Sequence, residues 1–212
     1  MTPIARRHFF GALQRHFPQP TTELQYEGNY QLLTAVVLSA QATDKGVNAA
    51  TADLFIKVKT PQDMLALGEE KLLAHIRSIG LFRAKARHIM ALSAILTERH
   101  GGQVPDNRQD LEALPGVGRK TANVVLNTAF GQETIAVDTH IFRVGNRTGL
   151  APGKTPRAVE DALNDTTPAR YKKDAHHLLI LLGRYICKAR KPLCGDCPAR
   201  RWCAYPHKTE ND

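Results

Sequence analysis

The chain has few aromatic side chains, 6% of 212 residues with a single tryptophan, and no segment of alternating polar and apolar residues that would make half-buried strands. That shortage excludes a β-sandwich or barrel. No apolar stretch approaches the roughly 18 residues needed to span a bilayer. The longest, LLTAVVLSA (32–40), has the length of a core helix. The N-terminal RRHFFGAL imitates a twin-arginine export signal, but its apolar part ends within a few residues at QRHFPQP, with no cleavage pattern. It reads as an amphipathic helix, no membrane is expected, and the expected compartment is the cytoplasm. Cysteine is absent until position 187, and all four cysteines fall within the last 26 residues. A disulfide-stapled secreted domain would distribute them through the fold, so that class is excluded too.

What is present points to helices and to a polyanion. Apolar residues make up 42% of the chain, enough to bury a core. Acidic residues are outnumbered 20 to 29, which leaves a net charge of +9 and a pI near 9.6. A chain this basic usually meets nucleic acid. Helical periodicity predicts an all-α fold with helices at 2–17, 30–40, 44–58, 69–78, 82–99, 107–113, 119–129, 139–148, 156–165 and 171–186. Gly/Pro breaks such as PQPTT, HGG and APGKTP separate them, and no low-complexity linker or charge block occurs. SIGLFRAKARHI (78–89) weakly echoes LPGVGRKTANVV (114–125), with Gly80 on Gly116 and Ala86 on Ala122.

The second copy carries the more informative pattern. Leu111 and Leu114 anchor one helix, Pro115 stops it, and Gly116 and Gly118 allow a tight turn because glycine tolerates positive φ. Amides at the start of the next helix, reinforced by its dipole, make a phosphate site. A plain helical corner would account for a lone PGxG. The stretch is complete over twelve residues, however, and resembles the helix-hairpin-helix motif, apolar-Pro-Gly-apolar-Gly-x-x-x-Ala. That resemblance implies that Gly116, Val117, Gly118 and Arg119 grip one phosphate of a DNA strand. Such a contact positions the protein and reads no sequence.

Lys120 and Asp138 each admit two readings. Lys120, just inside that second helix, is either a solvated phosphate contact or a nucleophile. Its place beside Arg119, at the positive end of a helix and partly buried, would favour the neutral amine. Asp138 in AVDTHIFRVGNRTG (136–149) precedes a helix and suits an N-cap, a role compatible with turning one oxygen toward a substrate. His140 is expected to be structural. His176 and His177 have no metal-ligand spacing, and one of them is expected to face inward.

The cysteines, Cys187, Cys194, Cys197 and Cys203, are spaced C-x6-C-x2-C-x5-C. Four thiols so near each other make a metal ligand set, with zinc and a [4Fe–4S] cluster both open on spacing alone. From 184 to 203 there are six Lys/Arg (Arg184, Lys188, Arg190, Lys191, Arg200, Arg201) against Asp196. A staple holding Lys188, Arg190 and Lys191 beside DNA would add salt-sensitive, sequence-independent affinity.

Lys120 in LPGVGRKTA and Asp138 in VDTHIFRVGNR, together with LSAQATD (38–44), IGLFRAKA (79–86) and the cysteine tail, resemble the endonuclease III family of DNA glycosylase/lyases over nearly the whole chain. The resemblance implies a two-domain all-α fold. Residues 23–132 form a six-helix barrel with the hairpin at about 107–129, residues 1–22 plus 133–212 form a [4Fe–4S] domain, and DNA lies in the cleft between them. It implies a base excision repair enzyme acting, as a monomer in the cytoplasm with the nucleoid, on duplex DNA that carries oxidised pyrimidines or abasic sites. Lys120 would attack C1′ of a flipped nucleotide and lead to β-elimination, and Asp138 would assist. Gln41 would fill the vacated space, with Leu81 wedged beside it. Cys187, Cys194, Cys197 and Cys203 would hold the cluster. Two other readings remain. One is a mispair adenine glycosylase, a family that lacks a lysine at this position and carries a further C-terminal domain, whereas this sequence has Lys120 and stops at Asp212. The other is a non-catalytic DNA-binding module with structural zinc.

Overall fold

The computed structural model describes residues 1–210. Its α-helices are α1 (Pro3–His16), α2 (Gly28–Leu38), α3 (Asp44–Lys57), α4 (Pro61–Leu67), α5 (Glu69–Ile76), α6 (Phe82–Arg99), α7 (Arg108–Glu112), α8 (Arg119–Phe130), α9 (Thr139–Thr148), α10 (Pro156–Thr166) and α11 (Lys172–Leu181). Short 3₁₀ turns cover Ala169–Tyr171 and Arg200–Trp202, and no strand occurs among the described residues. None of the helices is long and apolar enough to cross a membrane. The chain divides into two compact units, one running Glu23–Phe130 and the other combining Met1–Thr22 with the chain from Gly131 on.

The Glu23–Phe130 unit is built around α2, whose residues Tyr30 to Leu38 are all buried. A helix apolar on every side can only sit at a centre. Two of its three buried polar side chains, Gln31 and Tyr30, are hydrogen-bonded there, while Thr34 Oγ1 has no hydrogen-bond partner among the described residues. Gln31 donates to the carbonyls of Phe55 and Val58 at 2.8 and 2.7 Å, and Tyr30 shares a 2.7 Å hydrogen bond with Ser93. That partnership matters, since an unpaired buried amide is expensive.

The unit has seven helices where the sequence predicts six, because α4 is only seven residues long and too short to show a period. Its start is nonetheless written in the sequence. Thr60 and Asp63 form a reciprocal capping box, with Pro61 in the first helical turn.

In the other unit, Phe9, Phe10 and Leu13 of α1 pack with Ile141 and Val144 of α9, Leu163 of α10 and Leu178, Leu179 and Leu182. The arginine-rich start is thus one turn of a core helix, capped by Thr2 and begun by Pro3. Phe10 stacks on Tyr171 at 5.6 Å. The helix predicted to run through 186 instead ends at Leu181 and widens into a π-turn, Leu182–Ile186. The Cys187 amide there bonds the Leu182 carbonyl, five residues back, at 2.7 Å. Periodicity cannot anticipate such a turn, which is an interruption of the regular helical repeat.

His176 and His177 are both buried, not one of two, because α11 is enclosed by its unit along Ala175–Leu179. Their rings meet edge to face at 5.0 Å, and His177 Nε2 has no hydrogen-bond partner. Burial pushes the His177 pKa below its ordinary 6.5, with Asp174 opposing and Arg184 adding to the shift. The folded state therefore holds it neutral, while the unfolded chain takes up a proton near 6.5. Stability should not depend on this imidazole above 6.5 and should fall as the pH drops through that value. Urea midpoints at pH 7.5 and 5.5 test this, and the acid-side loss should be smaller in His177→Gln than in wild type.

Candidate functional site

The hairpin starts at Asn107, whose side chain caps α7 by accepting from the Asp110 amide at 2.9 Å. Arg108 Nε donates to Asn123 Oδ1 at 3.1 Å and ties α7 to α8. Leu111 and Leu114 are buried as the sequence implies. The turn then closes when the Val117 amide donates to the Leu114 carbonyl at 3.1 Å. That amide is engaged and the Val117 side chain is 5% exposed, so Val117 pins the turn from inside.

The two glycines do different things. Gly116 has φ +78, and a Cβ there would lie 2.9 Å from His88 Cβ and Nδ1, so both backbone and space demand glycine. Gly118 has no positive φ, and a Cβ added to it meets nothing within 4 Å. The expectation that both glycines serve the tight turn is therefore corrected. The fold needs only Gly116, and Gly118 leaves bare backbone on the exposed side. In α8 the Ala122 amide bonds the Gly118 carbonyl at 2.9 Å, which leaves the Gly118 and Lys120 amides ahead of the helical ladder, at its positive end.

Lys120 is exposed, not partly buried as its position suggests. The core-facing side of α8 is formed by Thr121, Ala122 and Val125, which directs position 120 outward. Asp138 caps α9, its Oδ1 accepting the Ile141 amide at 2.8 Å. His140 meets Arg143 (3.3 Å), which in turn donates to the carbonyls of Gly183 (2.7 Å) and Cys187 (3.0 Å). Gln41 and Leu81 share a property that the sequence does not display. Both are non-glycine residues in the left-handed region, at φ 58 and 60, and both are exposed. Such conformations cost about 1–3 kcal/mol each and cluster at functional sites. In the echo of the hairpin the left-handed residue is Leu81, one place beyond the Gly80 that aligns with the left-handed Gly116.

All four cysteines, none in a disulfide, line one pocket with about 380 Å³ of atom-free space, open solvent included. Burial and then the neighbouring thiols push Cys197 up to about 11, and burial raises Cys203 as well. Among the described residues no three Cys, His, Asp or Glu side chains are placed to hold a single ion.

The walls of this pocket supply donors to sulfur. Arg147 Nη1 lies 3.7 Å from Cys187 Sγ and the Tyr205 amide 3.4 Å from Cys203 Sγ. Arg147, the last residue of VDTHIFRVGNR and given no role by the sequence, also donates to the carbonyls of Lys188 (2.6 Å) and Ala189 (3.1 Å) and lies over the Tyr205 ring. With its carbonyls drawn inward, the loop leaves Lys188, Arg190 and Lys191 exposed, the last at φ 46.

Residues 34–169 match the HhH-GPD superfamily of base excision DNA repair proteins. The chain is 55% identical to endonuclease III of Haemophilus influenzae, over 99% of this chain and 100% of that protein. It is 54% identical to endonuclease III of Escherichia coli, with the same coverage. A solved structure of a trapped endonuclease III–DNA covalent intermediate, an estranged-adenine complex, superposes with a TM-score of 0.89 at 44% identity, over 96% of each chain. The chain belongs to the endonuclease III family of the HhH-GPD superfamily, the DNA glycosylase/lyases of base excision repair. Of the three readings open to the sequence, the family supports this one, and the non-catalytic module falls away.

The unequal glycines give a test. Gly116→Ala should lower the stability in urea by about 1–2 kcal/mol or more. Gly118→Ala should stay within about 0.5 kcal/mol of wild type yet bind duplex DNA on the order of ten-fold more weakly at fixed salt, the loss of roughly one charge-assisted hydrogen bond. Fluorescence anisotropy beside urea titration reads both.

Proposed function

We propose that the enzyme removes oxidised pyrimidines from duplex DNA and cleaves the resulting abasic site by β-elimination, with Lys120 as nucleophile. The observation that carries this reading is the exposed Lys120 amine, two residues beyond the bare Gly118 backbone at the positive end of α8. A phosphate held by the turn would set a sugar within reach of that amine. Since C1′ is inaccessible in the stack, the damaged nucleotide is flipped out first. Gln41 takes the space it leaves and Leu81 replaces lost stacking, both on backbones already held in strained conformations.

The neutral Lys120 amine forms a bond to C1′ as the C1′–N bond to the base breaks, and the base leaves with a proton. The sugar ring of this adduct then opens as the C1′–O4′ bond breaks and O4′ takes the proton given up by the nitrogen, and the Schiff base so formed makes the C2′ proton acidic. Its removal expels the 3′ phosphate, and water then releases Lys120 from the sugar fragment. Asp138 takes a proton from the amine or steadies positive charge on the sugar, through the carboxylate oxygen not used to cap α9.

Cys187, Cys194, Cys197 and Cys203 fit a [4Fe–4S] cluster. Four thiols around one pocket, two with backbone or guanidinium donors at sulfur, suit a polynuclear group with sulfur ligands. When bound, the cluster supplies a structural staple for the last two dozen residues, which lack a core of their own. Lys188, Arg190 and Lys191 then meet the DNA backbone as a rigid set. A monomer acting on double-stranded DNA in the cytoplasm accords with these roles.

Borohydride should trap wild type, but not Lys120→Gln, on a duplex containing thymine glycol; no adduct from wild type that still binds DNA would rule out the lyase step. Asp138→Asn, which keeps an efficient N-cap, should fold normally while trapping on the order of 10²-fold more slowly. Replacing Lys188, Arg190 and Lys191 together by Ala should flatten the dependence of log affinity on log salt by up to about 0.9 for each phosphate that is no longer neutralised.

A further inference from the structure

Lys85 takes no part in the chemistry above, yet it is a lysine with only 5% exposure. Its Nζ donates to the Leu38 carbonyl at 2.9 Å. Leu38 is the last residue of α2, so the ammonium lies at the negative end of that helix, on a carbonyl the helix cannot pair itself. Just beyond, the Ala42 amide bonds the Ser39 carbonyl at 3.0 Å, and Gln41 sits inside that turn at φ 58.

The same residue reaches the second strained position through its backbone. The Lys85 amide donates to the Leu81 carbonyl at 3.1 Å, the bond that opens α6 behind Leu81 at φ 60. Lys85 thus bonds, through its side chain, the helix end three residues before Gln41 and, through its amide, Leu81 itself. One residue therefore touches the approaches to two left-handed non-glycine positions forty apart in sequence. Strained backbones persist only where the surroundings over-determine them. Burying an ammonium is itself unfavourable, and desolvation pulls the Lys85 amine below its ordinary range. A shorter neutral residue would fill the core at lower cost if packing were the only demand.

We infer that Lys85 is a positioning residue that holds the Gln41 and Leu81 turns together in the conformation that enters the duplex at a lesion. This rests on the proposed reading of Gln41 and Leu81 as the inserted pair. It assigns Lys85 no contact with DNA.

The test is the ratio of affinities for a duplex with a tetrahydrofuran abasic analogue and for the undamaged duplex, at one salt concentration. Lys85→Met should lower the ratio on the order of ten-fold, within what a displacement of about 1 Å costs a positioned group. Lys85→Arg, which keeps a cationic donor, should restore most of it. Gln41→Ala should lower the ratio similarly, and Lys85→Met with Gln41→Ala together should lose little more than either alone, because they act on one element.

A purely structural lysine would shift the urea midpoint and leave the ratio intact, which overturns the inference. Losses that multiply in the double variant overturn it as well. If Gln41→Ala and Leu81→Ala leave the ratio unchanged, the inserted-pair reading itself fails. If they lower it and Lys85→Met does not, only the role of Lys85 fails. Lys85→Gln, neutral and too short to reach Leu38, carries the same comparison should the methionine variant not fold.

Discussion

The left-handed backbone of Gly116, closed against the ring of His88, decides where α8 begins. From that point on, geometry follows from the helix itself. The Gly118 and Lys120 amides fall ahead of the hydrogen-bonded ladder, the macrodipole adds positive potential, and the core-facing side formed by Ala122 and Val125 turns Lys120 outward. Val117 keeps the turn shut from within, and nothing inside the protein requires Gly118 to be small. The proposed phosphate grip and the proposed nucleophile are thus two consequences of one turn.

The same economy appears at other helix ends. Asp138 satisfies the Ile141 amide and still has a second carboxylate oxygen. Lys85 closes the end of α2 and, through its amide, the start of α6. Unpaired backbone groups at helix termini must find partners anyway. Residues recruited to supply them are held in place by the fold, which is the requirement for chemistry or insertion at a fixed distance.

In the unit that begins at Met1, order in the cysteine segment comes from side chains reaching out of regular helices. Arg147 on α9 gathers the carbonyls of Lys188 and Ala189, and the π-turn at Leu182–Ile186 delivers Cys187 to the pocket. The loop cations face solvent because its carbonyls are taken. Burial above all holds the Cys197 thiol neutral, since a bare thiolate would be both desolvated and close to its neighbours. A metal group would stabilise the thiolates there, and the proposed cluster gives this segment a core it otherwise lacks.

Much of this was legible in the sequence. Periodicity marked the long helices, and PGVG with the following RK marked the hairpin. Asp138 before THIFRV marked an N-cap, and C-x6-C-x2-C-x5-C marked a ligand set. These are local signals, carried by residues within one or two turns of each other. The sequence did not disclose that α4 is a helix of its own, that Gly118 is free of internal demands, or that Gln41 and Leu81 are strained. Nor did it disclose the partnerships of Arg147 with 188–189 and of Lys85 with Leu38. Those partnerships join residues more than forty positions apart, and the strain at Gln41 and Leu81 depends on where a neighbouring helix ends. The chain by itself determined which segments are helical and which residue types are suited to phosphate, metal or sugar chemistry. Only tertiary packing decided which backbones are strained and which cations are buried, since both depend on surfaces that exist only once the helices have met.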